Sequence, residues 1–146
     1  MNSTTRRASE AQKRLAIGQG AYFAAAGLWP VLHLRSFEAV TGPKADGWLV
    51  KTVGLMIANV GGALLFAGLR GRVSRELRGL AVGSAASLAL IDLFYAGARK
   101  RISKVYLLDA LVEGGLIAAW AAAQKVSDDV DKRLPLLAGG ATAAPL

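Results

Sequence analysis

The stretch VYLLDALVEGGLIAAW, residues 105–120, is apolar enough to sit in hydrocarbon, yet it carries Asp109 and Glu113 one helical turn apart. Charged side chains inside a bilayer are costly, and they turn toward protein partners or a wet cavity. The pair of acids therefore marks this segment as one helix of a membrane bundle, with its acids facing the other helices.

Three further apolar runs lie upstream, and together the four cover residues 15–34, 48–69, 79–98 and 105–123. Each is close to the roughly 20 residues needed to cross about 30 Å of hydrocarbon. The connections between them, residues 35–47, 70–78 and 99–104, are short, which makes sequential helices antiparallel neighbours. The expected fold is all-α, an integral membrane up-and-down bundle of four transmembrane helices. TGPKADG in the first connection reads as a turn and lacks the spacing of a phosphate-binding loop.

Composition agrees with that class. Of the 146 residues, 53% are hydrophobic although 19% are charged, and no cysteine is present. The single histidine, His33, leaves a transition-metal or haem site short of its usual ligands, so no metal and no cofactor is expected. The net charge of +8 comes from cations clustered between apolar runs. That is the pattern of membrane flanks, not of a nucleic-acid surface, and no nucleic-acid partner is expected.

Residues 1–14 read as a basic cytoplasmic segment, and residues 124–146 as a mostly disordered cytoplasmic tail. A cleaved signal peptide is the alternative for the first run, but apolar sequence continues through LWPVLHL beyond any such cut. Placing both termini in the cytoplasm leaves eleven lysines and arginines inside and six outside. This is the usual bias of a multi-pass protein, although Arg99, Lys100, Arg101 and Lys104 would then all be exported.

The words GLWPVLHLRSFEAVTGPKADGWLVKTVG, residues 27–54, resemble a family of small multi-pass bacterial membrane proteins to which no activity is attached. The resemblance implies a bacterial inner membrane and assigns no residue a role. DoxX-like proteins are similar in size and helix number alone.

Spacing gives each helix a face. Gln19, Tyr22, Ala26, Trp29 and His33 recur at steps of three and four on the first helix, and Lys51 shares a face with the small residues Gly54, Ala58 and Gly62 on the second. On the third helix Asp92 and Arg99 fall on one side, as do Tyr106, Asp109, Glu113 and Trp120 on the fourth. Alternating direction places His33, Lys51, Asp92, Asp109 and Glu113 at similar depth in the outer leaflet. Lys51 is expected to pair with Asp92, or failing that with Asp109. One lysine cannot neutralise three acids, so Arg99, Arg101 or Lys104 must fold inward, His33 must charge, or a carboxyl must keep its proton.

The resulting candidate binding set is His33, Lys51, Asp92, Arg99, Arg101, Asp109 and Glu113. Its first reading is a binding or accessory protein that holds a lipid headgroup or a partner helix. A small oligomeric proton-coupled transporter is the second. A membrane-embedded enzyme using His33 with the acids is the third and lacks any nucleophile or metal motif, so an enzyme is the weaker expectation. A structural role for the cluster, tying helices together, is the plain alternative to all three.

Overall fold

A computed structural model describes residues 3–139 of the chain, with side chains over residues 6–128. The described residues are helical apart from short connections. In order they form α1 (Ser3–Leu32), α2 (Leu34–Thr41), α3 (Gly47–Leu69), α4 (Arg75–Asp92), a π-helical segment (Leu93–Ala98) and α5 (Val105–Gly139). Four of these are long and apolar enough to cross a membrane, over Arg6–Leu32, Gly47–Leu69, Arg75–Ala98 and Val105–Asp128. The all-helical membrane bundle expected from the four apolar runs is the fold observed.

The tightest contact joins α1 to α3. It is built on glycine at heptad spacing, Gly20 and Gly27 on α1 against Gly54, Gly61 and Gly68 on the antiparallel α3. A Cβ at Gly54 would stand 2.5 Å from the Gly27 carbonyl oxygen, and one at Gly61 would stand 2.7 Å from that of Gly20. The backbones touch, which is how helices associate in lipid, where no hydrophobic drive distinguishes a neighbour from an acyl chain. The seven-residue repeat keeps the glycine seam facing its partner along the whole contact. Gly62, assigned to this face from spacing by four, lies off it, and a Cβ there would meet nothing within 4 Å.

On its other side α1 meets α5, and α5 packs on α4. The buried stripe of α4 consists of Ala81, Ala85, Ala89 and Asp92, with Ala96 following in the π segment. Ala16, Leu64, Ala81 and Trp120 form the apolar core where the helices converge. Although α3 and α4 are sequential, they make little contact, and a lipid-side groove lined by Met56, Val60, Leu80 and Ser87 separates them above Phe23.

Helix ends follow local chemistry. The turn after α3 closes on Gly71, at φ 65°, with Gly71 N–H donating to Gly68 O and Arg72 N–H to Ala67 O. That left-handed position suits a glycine. Ser74 then starts α4 by accepting from the Leu77 amide.

Three boundaries differ from the sequence expectations. The helix of the first span begins well before Leu15: residues 3–14 are continuous with it in α1, and Ala8 and Gln12 are buried. The first connection contains a short helix, α2, because His33 supplies an N-cap for LRSFEAVT. The tail does not become irregular at Gln124: α5 runs on to Gly139. The residues from Gln124 to Arg133 include good helix formers and no glycine or proline, so mixed charge there does not interrupt the helix. The rest of the expected disordered tail, residues 140–146, lies outside the described residues.

Candidate functional site

Asp92 reaches the bundle interior because it lies at the end of the buried alanine stripe of α4, where the helix gives way to π-helical turns. The Arg99 amide donates to Phe94 O across five residues, the π spacing. Such segments are common at functional sites, because the extra residue per turn redirects a side chain. Asp109 and Glu113 enter from α5, and Tyr22 enters from α1 on the turn after Gln19.

These groups meet. The Tyr22 hydroxyl donates to Asp109 Oδ1, and Asp109 is the nearest charged neighbour of Asp92. Glu113 lies deeper, close to both aspartates. It is 0% exposed, and neither of its carboxyl oxygens has a hydrogen-bond partner among the described residues. Asp92 is 5% exposed, and its Oδ2 is likewise without one. A buried polar group left unpaired costs about 1–3 kcal/mol, more when charged.

Among the described residues no cation forms an ion pair with these acids. The ion pairs among them join Glu10 to Lys13 and Arg14. Lys51 is exposed on α3, which is held against α1 and away from α5, so the expected Lys51 pair with Asp92 or Asp109 does not form. Arg99 and Arg101 do not fold inward: both are exposed, and the Arg99 guanidinium lies over the Phe94 ring at 5.4 Å.

His33 is also elsewhere. Its Nδ1 accepts from the Ser36 amide at the start of α2, while Trp29 Nε1 donates to the Ser36 hydroxyl. The ring is exposed and serves as a helix cap. Of the seven candidate residues, therefore, the structure brings together Asp92, Asp109 and Glu113 and leaves His33, Lys51, Arg99 and Arg101 outside.

A lysine that spacing did not single out lies over the first turn of α5. Lys44, in the turn after α2, lies 5.2 Å above the Tyr106 ring and donates to the carbonyls of Thr41 and Gly42. Desolvation by burial holds its ammonium below the ordinary lysine value, with the Glu38 carboxylate acting the other way.

One layer beyond Glu113, a second polar group crosses the core. Trp120 Nε1 donates to Gln19 Oε1 at 2.7 Å, and Gln19 Nε2 donates to the Ala81 carbonyl at 2.9 Å. This chain links α5, α1 and α4 with both side chains buried. The stripe through Gln19 and Tyr22 had predicted that both face the bundle. It also puts Trp29 and His33 there, whereas both are exposed and bond Ser36 at the start of α2.

Among the described residues no three of His, Asp and Glu gather closely enough to hold a metal ion. Comparison of the chain with protein-family models, with curated proteins and with solved structures finds no match.

Proposed function

We propose that this chain is a multi-pass membrane protein whose buried acidic cluster accepts a positively charged group: a proton, or the ammonium of a lipid headgroup or of a partner helix. The observation that carries this reading is Glu113, fully buried beside two further acids, with both oxygens unpartnered and no ion pair among the described residues. Intramembrane acids in that state attract cations and repel phosphate. The reading thus narrows a headgroup ligand to its amine.

The test is Glu113→Gln in detergent-solubilised protein, read by the infrared carboxyl band and by thermal unfolding between about pH 5 and pH 8. Wild type is expected to show a band that responds to pH or to added tetramethylammonium, and the glutamine variant is expected to fold and lose it. If wild type ignores both additions and the variant is indistinguishable from it, Glu113 is a helix tie and the reading fails.

A proton-coupled transporter is the second reading, and one observation favours it. A cleft at the far end of the bundle is lined by Trp120, which bonds the buried Gln19 about two turns along α5 from Glu113. Proton flux into proteoliposomes, absent in Glu113→Gln, would select it over simple binding. The enzyme reading needs His33 beside the acids, and its cap position removes that support.

The lysine and arginine bias supports a bacterial inner membrane topology with both termini cytoplasmic, which sets the acidic cluster in the outer half of the bilayer. A reporter fused at the C-terminus is expected to read as cytoplasmic, and an exported signal would reverse the orientation.

A further inference from the structure

At the end of the bundle opposite the acids, α4 and α5 part to leave a cleft of about 590 Å³. Arg75 and Arg78 line its α4 side, Gln124, Ser127 and Asp128 line its α5 side, and the buried Trp120 forms its floor. We infer that this cleft binds the phosphate group of an anionic lipid.

Depth is the first argument. Arg75 opens α4, and the apolar run of α5 ends at Ala123 just before Gln124, so the mouth of the cleft stands at headgroup level. Arg78 lies three residues further along α4, about 4.5 Å deeper, and is half-buried. A phosphate entering from the membrane plane meets one guanidinium at the rim and a second below it.

Chemistry is the second argument. Guanidinium groups bind phosphate oxygens through paired charge-assisted hydrogen bonds, and the Gln124 amide and Ser127 hydroxyl add neutral donors on the facing wall. Among the described lining residues Asp128 is one carboxylate against two guanidiniums, which leaves the cleft cationic. The Trp120 N–H is already committed to Gln19, so the floor presents an apolar ring on which a glycerol backbone can rest. Basic clefts between membrane helices at the headgroup boundary are suited to anionic lipids. This inference is independent of the acidic site, which lies beyond Trp120 and repels the same ligand.

The experiment is thermal unfolding of the full chain in neutral detergent, titrated separately with phosphatidylglycerol, phosphatidylcholine and inorganic phosphate. Wild type is expected to gain stability saturably with phosphatidylglycerol only. Arg75→Gln combined with Arg78→Gln is expected to unfold at the wild-type temperature without lipid and to bind phosphatidylglycerol about tenfold more weakly or worse. Arg78→Lys, which keeps the charge and loses the paired geometry, should fall between them and guards against a folding defect in the double variant. An equal gain with inorganic phosphate would overturn the lipid as the source, and an equal gain with phosphatidylcholine would overturn selection by charge. A phosphatidylglycerol effect that survives the double substitution, or no effect in wild type, would overturn the site.

Discussion

Gly61→Ala is expected to destabilise the bundle by about 1–3 kcal/mol, and Gly61→Val to keep α1 and α3 from closing at all. An added Cβ would stand 2.7 Å from Gly20 O and 2.8 Å from Phe23 Cβ, and it would press on the Ala24 amide nitrogen. Two of those three atoms are backbone, so no rotamer change relieves the clash and the helices must move apart. In lipid that separation removes the van der Waals contact on which the pair depends. The neighbouring Gly62 is the control. A Cβ there meets nothing within 4 Å, so Gly62→Ala should be neutral or slightly stabilising through helix propensity. Thermal unfolding of the two variants side by side checks the difference, and equal behaviour would argue against the heptad seam.

Gln19→Leu is the second substitution with a large expected effect. It removes the acceptor of the buried Trp120 indole N–H and the extra donor to the Ala81 carbonyl. Leaving one buried donor unsatisfied costs about 1–3 kcal/mol. Trp120→Phe removes the same donor but also loses ring area, so it is expected to be destabilising by itself. Combining the two should cost less than their sum, because after either change the shared hydrogen bond is already gone. Strict additivity in unfolding measurements would mean that the bond contributes nothing to stability.

The acidic cluster divides along the same line as these two contacts. Asp109 and Glu113 were legible as a pair because a helix fixes the relation between residues four apart, whatever surrounds it. Asp92 was legible because depth along a membrane helix can be counted from its ends. Lys51 passed the same depth test and failed, since depth says nothing about rotation about the helix axis. The glycine seam of Gly54, Gly61 and Gly68 turns the α3 face toward α1 and leaves Lys51 outside. Spacing by four placed Gly62 on the contact face, whereas the antiparallel contact repeats every seven residues.

The residues alone determined that the chain spans a membrane four times, because a bilayer demands apolar runs of a set length with every backbone group bonded within its own helix. They also determined which acids share a face. The tertiary structure decided which helices touch, that Gln19 and Trp120 close the layer beneath Glu113, and that the acids meet a tyrosine and one another instead of a lysine. The reason is that lipid and protein interior are equally apolar, so hydrophobic patterning does not aim a membrane helix at its neighbours. That aim comes from backbone-close packing at glycine and from individual hydrogen bonds, which exist only once the helices are assembled.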